Sequence, residues 1–291
     1  MRTNADTAVA LASHYLDVDQ PQRALDVLDG IDGPDLDDAY LWALRTQALV
    51  DLKQFAQAAA TARSGLNADA ESITLLDLLS LAEAELGELE EAETAILQAL
   101  ELEPEHPVLL CRYALLLARG GQLDKATRVC AEAERLEPDD QAVIRCRIAL
   151  AYVRGDDKAA ERESRRLLAE FDPDDPIGHT MLGVQAASRG SLRTASRHFD
   201  TAAQYDLGDE QAVDLARRGR IETHPLFWPI LPFERFGPAA SWLGAVVIMG
   251  LLAATGQDLL LGIFAVTYVL LCIYSWVVPP LARRWLSRER W

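Results

Sequence analysis

The residues of this chain equipped for covalent or metal chemistry are few and scattered. The five histidines, His14, His106, His179, His198 and His224, form no HExxH or His-x3-His pair, and the four cysteines, Cys111, Cys130, Cys146 and Cys272, form no CxxC pair. Zinc sites and dithiol centres use such spacing to bring their ligands to one point. No P-loop, GxGxxG or GxSxG stretch is present either. The expectation is a protein that is not an enzyme, with no metal or cofactor, and with reduced thiols in a cytosolic compartment. Arginine offers more. Arg112, Arg119, Arg145 and Arg147 interrupt an otherwise acidic region, and a guanidinium grips a carboxylate with two parallel hydrogen bonds. If Arg112 and Arg145 face one groove, they would hold an acidic side chain of a partner. The other reading is that they pair with the chain's own abundant Asp and Glu.

Whatever positions these arginines must repeat. Small residues recur at Ala24, Ala58, Ala92, Ala126, Ala160 and Ala195, at spacings of 34, 34, 34, 34 and 35. Around them the chain reads as helix, turn, helix, turn, in six units over roughly residues 5–207. In the third unit the first helix carries apolar residues at Leu75, Leu78, Leu79, Ala82 and Leu86, the i, i+3, i+4, i+7 spacing of one helical face. Gly87, Gly121, Gly155 and Gly190 recur where a left-handed residue ends the first helix. Pro104, Pro138 and Pro173 follow the second helices, where a residue without an N–H can begin the next helix without losing a bond. A helix pair this short cannot bury its apolar face alone, so neighbouring pairs must stack.

These residues resemble the tetratricopeptide repeat family. In the sixth unit His179, Leu182 and Gly183 stand at the W-x2-L-G places, Ala195 at the small position of the second helix, and Phe199 and Ala202 at the apolar places after it. Leu11, Ala12, Tyr15, Ala24 and Leu28 match in the first unit, and Trp42 supplies the aromatic of the second. Arg45 and Arg147 depart from the pattern, standing where the family packs leucine, which implies looser packing there or side chains that snorkel to the surface. The resemblance implies an all-α superhelical solenoid of about six helix pairs. It also implies a groove lined by the first helices that binds a protein or peptide partner. Matched unit by unit, the groove candidates include Ala43, Gln47, Asp77, Cys111, Arg145 and Thr180, with Arg112 beside them. The Lys/Asn set with which some members clamp a C-terminal carboxylate is absent. A further helix from Asp209 to Glu222 reads as a cap over the last repeat, completing a domain over 1–222.

The remainder has a different character. Residues 237–256 and 259–278 contain no Asp, Glu, Lys, Arg or His, and runs of about 20 such residues span a hydrocarbon core of about 30 Å as helices. Joined by a turn this short, they read as an antiparallel transmembrane hairpin ended by Pro279-Pro280. Gly244, Ala245, Gly250 and Ala254 are small enough to let its helices approach closely. Basic residues flank both ends of the hairpin and are missing from its turn, which places both ends in the cytoplasm. Trp228, Arg235, Trp242, Trp276, Arg283, Arg284 and Trp285 are the candidate membrane-interface residues, and 279–291 the basic, tryptophan-containing tail, read as a short interfacial helix. The segment 223–236, with its prolines and aromatics, reads as a bent interfacial linker rather than a straight helix.

The net charge of −17 disfavours nucleic acid as a partner, since phosphate contacts need clustered Lys and Arg. The whole acidic excess lies in the first 220 residues. The sequence therefore points to a membrane-anchored scaffold that binds a protein partner and membrane lipid, with a bacterial inner membrane suggested by the charge pattern and the arginine-rich composition. Two alternatives are self-association into a membrane-organising oligomer and a place as accessory subunit of a larger membrane complex.

Overall fold

The structure, a computed structural model, describes residues 2–30, 39–205, 213–216, 219 and 231–286. Helices are the regular secondary structure of these residues. Two compact units divide the chain, Met1–Pro173 and Asp174–Trp291.

The first unit holds five helix pairs: α1 (Arg2–Asp17) with α2 (Pro21–Leu28), α3 (Ala39–Asp51) with α4 (Phe55–Ala68), α5 (Ile73–Leu86) with α6 (Leu89–Leu102), α7 (Pro107–Arg119) with α8 (Leu123–Leu136), and α9 (Gln141–Val153) with α10 (Asp157–Arg166), which runs on as a wider turn over Leu167–Phe171. Within it α1 touches α3, α3 touches α5, α5 touches α7 and α7 touches α9, while each even helix packs on its own partner and α2, α4, α6 and α8 also pack on the next odd one. The odd helices are thereby the inner layer of the unit. The repeated alanine is what lets each even helix nest. Ala24, Ala58, Ala92, Ala126 and Ala160 have no exposed surface, and a larger side chain there would separate the pair. Polar ties repeat with the same period: Cys146 to Cys111, Arg112 to Asp77 and Arg119 to Ala84 are all contacts between residues 35 apart.

The turn inside each pair is closed by a left-handed residue. Gly87, Gly121 and Gly155 take it at φ of 88°, 76° and 73°, as expected. In the first two pairs the same phase is filled by Asp19 at φ 55° and Lys53 at φ 58°, conformations that cost a residue with a Cβ. The prolines behave differently from expectation. Pro104 and Pro138 lie in turns and do not start helices, whereas Pro107, and Pro176 in the second unit, stand at the first helical position. There the missing N–H would have been unpaired in any case.

The second unit holds the sixth pair, α11 (Pro176–Ser188) and α12 (Leu192–Tyr205), followed by α13 (Leu231–Ala254) and α14 (Asp258–Leu286). Gly183 is the close-approach point of that pair, since a Cβ there would stand 2.5 Å from Cε1 of Phe199. The cap expected over 209–222 lies partly outside the described residues. Within it, 213–216 are helical, and Ala216 is buried in a cluster with Ala195, Phe199 and Ala203.

The helices α13 and α14 touch and are joined by three residues. Their ends correct three expectations. First, α13 begins at Leu231, so the end of the expected linker is already helical; Pro232 falls in its first turn, and Pro238 is carried inside it. Second, Pro279 and Pro280 do not end the second helix, which continues to Leu286 and carries Arg283, Arg284 and Trp285 with it; residues 287–291 of the expected tail lie outside the described residues. A proline's φ is itself helical; what it removes is a hydrogen bond, and the flanking turns carry the helix across. Third, Gly244 and Gly250 are not close-approach points, because a Cβ at either meets nothing within 4 Å. Ala245 is the buried position of that stretch.

Candidate functional site

The inner layer of the first unit presents polar residues between buried ones. Arg112 on α7 reaches back to Asp77 on α5 with two parallel bonds, Nε to Oδ1 at 2.7 Å and an Nη to Oδ2 at 2.9 Å. Both side chains are partly shielded, at 28% and 18% exposed. One further repeat along, Arg145 on α9 donates to Gln141 at 3.3 Å and lies 4.0 Å from Asp172. Gln47 on α3 donates to Asp51 at 2.7 Å. Thr180 lies half-buried on α11 in the second unit. Ala43 and Cys111, matched to the same face by the repeat, are buried and offer it no surface. Of the residues expected at a membrane interface, Trp242 is 60% exposed on α13, Arg235, Trp276, Arg283, Arg284 and Trp285 lie on the terminal helices, and Trp228 is outside the described residues.

The two arginines that depart from the repeat pattern are paired within the protein, with side chains 15% and 23% exposed. Arg45 donates to the Leu28 carbonyl at 2.5 Å, at the end of α2, and lies over the Trp42 ring. A cation at a helix C-terminus meets the unpaired carbonyls and the negative end of the dipole. Arg147 bridges Glu134 on α8 at 2.9 Å and Glu163 on α10 at 3.0 Å. Glu163 is 6% exposed there, and its second oxygen has no partner. A leucine would fill the volume but leave Glu163 without this cation.

Two groupings were invisible in the linear sequence. His179 on α11 and His198 on α12 face each other with Nδ1 atoms 2.9 Å apart. Such a contact needs one ring to donate and the other to accept. Their separation of 19 residues fits no metal spacing; the antiparallel pairing of the helices about Gly183 and Phe199 brings them together. The second grouping is a thiol cluster: Cys111 on α7, Cys130 on α8 and Cys146 on α9 share one buried core, and the Cys146 thiol donates to the Cys111 carbonyl at 3.7 Å. Aligning the chain at its period puts Cys111 and Cys146 within one position of register, which is the signal that could have found it. No metal-holding group of three His, Cys, Asp or Glu occurs among the described residues.

Beside the cluster a cleft of about 540 Å³ opens between α8, α9 and α10. Its walls carry Arg147, Arg154, Arg162, Glu134 and Glu163, and Cys130 lines it.

One helical window, Asp258–Ser275, is long and apolar enough to cross a membrane, and none of it is buried in the protein; the apolar stretch Trp242–Ala254 is shorter. These features define a class: an all-helical repeat solenoid followed by two apolar helices. The tetratricopeptide repeat family model matches residues 73–106, and the fold of the described residues is an all-helical, TPR-like solenoid. Among solved structures, the APC/C hetero-tetramer Cut9-Hcn1 is similar with TM-score 0.59 at 16% identity, over 74% of this chain and 42% of that one. The human IFIT1 dimer with m7Gppp-AAAA gives TM-score 0.55 at 18% identity, over 73% and 55%. A thermophilic TPR protein of Thermus thermophilus gives 0.53 at 20% identity, over 62% and 97%. The chain thus spans about half the length of the first two. A search of the curated proteins finds no match.

Proposed function

We propose that this chain is a membrane-anchored scaffold that binds a protein or peptide partner on the inner face of its odd helices and catalyses no reaction. The observation that carries the reading is the pairing of a TPR-type solenoid with a helical hairpin whose apolar side chains are uncovered. Leu251, Leu259, Val266 and Leu270 are 61% to 78% exposed, and apolar surface on that scale needs lipid or another protein around it. Held by α13 and α14, the repeats raise the local concentration of a captured partner at the bilayer. The flanking arginines favour a cytoplasmic repeat domain, and the charge pattern favours a bacterial inner membrane. Although human IFIT1 is solved with m7Gppp-AAAA, the net charge of −17 on this chain argues for protein over nucleic acid.

On the inner face, Arg112 is held by Asp77 and Arg145 lies against Gln141 and Asp172, so an acidic partner would have to displace groups of the chain itself at both arginines. Capture from native membranes with Arg112→Glu and Arg145→Glu tests the face: loss of the wild-type partner is expected, and an unchanged partner set removes this face from the proposal. Alkaline carbonate extraction tests the anchor. The full chain stays in the membrane pellet if the hairpin is inserted; recovery in the supernatant as a monodisperse protein ends the reading.

A further inference from the structure

The cleft between α8, α9 and α10 has no part in anchoring and is separate from the arginines of the inner face. Its volume of about 540 Å³ is that of a small-molecule site. Contacts across it mark its two ends. At one end Arg154 on α9 donates to the Thr127 hydroxyl on α8 at 2.7 Å, with Asp156 also in the lining. At the other Arg147 bridges Glu134 and Glu163. Arg147 and Arg154 are two helical turns apart, which separates the ends by about 10 Å. Both ends hold an unmet group. Thr127 is the one hydrogen-bond partner of Arg154 among the described residues, so that guanidinium faces no carboxylate. Glu163 is 5% exposed; its Oε1 accepts from Arg147 and Arg162, and its Oε2 has no partner. A buried carboxylate oxygen without a donor is costly. We infer that this cleft binds a basic amino acid with a free α-carboxylate, of the class of L-lysine and L-arginine.

The complementarity runs along the cleft. The ligand α-carboxylate meets Arg154, whose remaining N–H groups form the fork that carboxylates fit. The α-ammonium meets Asp156, which gives one oxygen to the Ala159 N–H at 3.0 Å and keeps the other. The aliphatic stem lies against Ala131, Leu150 and Ala151, the apolar lining between the ends. The side-chain cation then reaches Glu134 and supplies the donor that Glu163 lacks. Arg162 is the group that gives way, since its side chain is 68% exposed and meets Glu163 at 3.3 Å. The lining also sets the charge of the ligand: Arg147, Arg154 and Arg162 are matched by Glu134, Asp156 and Glu163. A ligand carrying one sign alone would leave half of these groups facing nothing, whereas a zwitterion with separated ends answers both.

The test titrates the full chain in detergent by calorimetry with L-lysine, L-arginine, L-lysinamide and Nε-acetyl-L-lysine. Saturable binding of one L-lysine or L-arginine per chain is expected. L-lysinamide lacks the anion and Nε-acetyl-L-lysine the side-chain cation, so each should bind at least about tenfold more weakly than L-lysine, the scale of one lost charged hydrogen bond. Arg154→Gln alters an exposed side chain and leaves Glu163 and Arg147 in place. It should weaken L-lysine at least about tenfold and leave the weak binding of L-lysinamide unchanged. Absence of saturable binding by both basic amino acids, L-lysinamide binding as tightly as L-lysine, or Arg154→Gln binding L-lysine as wild type does would each overturn the assignment. The probe series needs no variant, so the outcome does not depend on a substituted chain folding.

Discussion

The repeats of the first unit and the α13–α14 hairpin draw on the same apolar residues and treat them oppositely. In the repeats Leu28, Leu75, Ile96 and Ile148 are fully buried, and ion pairs between residues 34 and 35 apart, Arg119–Glu85 and Arg112–Asp77, tie the fourth pair to the third. In the hairpin Leu259 is 78% exposed and Leu251 63%, and between Gly237 and Val278 Asp258 is the one ionised side chain expected at neutral pH. Periodic polarity lets a chain cover itself with its own neighbours. Where that polarity stops, the cover must come from outside.

The contrast breaks most severely where the repeats depend on charge. Arg147→Ala removes the cation that bridges Glu134 and Glu163, leaving a 6%-exposed carboxylate with Arg162 at 3.3 Å. Breaking a buried pair from one side costs about 3–5 kcal/mol, so denaturant unfolding of the repeats should shift by that order. Arg147→Leu combined with Glu163→Leu should recover most of it, since the penalty belongs to the stranded charge. A loss of less than about 1 kcal/mol in the single variant would show that this bridge behaves as a surface pair.

In the hairpin the damage comes from adding a charge. Val266→Arg should weaken insertion by about 2.5–3.5 kcal/mol if the residue lies near the bilayer centre, read as chain moving from the carbonate-resistant pellet. Unfolding of the repeats should not change. If the variant instead becomes monodisperse without detergent and keeps its partner, the hairpin face was covered by protein and not by lipid.

Glycine divides the two regions as well. A Cβ at Gly65 would stand 2.6 Å from Cβ of Trp42 and 2.7 Å from Leu75, so Gly65→Ala should destabilise by about 1–3 kcal/mol through overpacking. Gly250→Ala meets nothing within 4 Å and should leave stability and membrane retention unchanged, or raise helix stability by up to about 1 kcal/mol. Equal effects at the two sites would remove the distinction between self-covered and externally covered helices.

Much of this architecture is legible in the sequence because the alanine period is a packing requirement written as residue type. Gly87, Gly121, Gly155 and Gly190 announce their turns for the same reason. Asp19 and Lys53 hold the same left-handed place but do not announce it, because the repeat imposes the conformation on residues that do not prefer it. Nor could spacing along the chain show that Arg112 is held by Asp77, or that three cysteines on three helices meet, since those are facts of register between helices. The proline rules misled at Pro238 and at Pro279-Pro280 because they describe a bias against helix, which long apolar helices override. The imposed turns are testable: Lys53→Gly should stabilise by about 0.5–1 kcal/mol by relieving the positive φ, whereas Gly87→Ala should cost about as much. A neutral Lys53→Gly would mean that contacts of the lysine offset its strain.

The smallest effect probes how the repeats tolerate surplus acid. Asp51 ends α3, where the helix dipole opposes a negative charge. Desolvation pushes its carboxyl above the usual range, the Gln47 amide pulls it partly back, and the Asp19 charge adds to the rise. A raised folded pKa means that the folded state holds the proton more tightly than the unfolded chain does. The penalty is therefore fully present above that folded pKa and vanishes as pH falls below the unfolded value. Asp51→Asn keeps an acceptor for Gln47 and removes the charge. It should raise the unfolding free energy at neutral pH by no more than about 0.5 kcal/mol, the scale of surface substitutions. The gain should disappear in acid, where wild-type Asp51 is itself neutral. A gain that persists at low pH would come from something other than charge, and the acidic surface of the repeats would then carry no local cost at this turn.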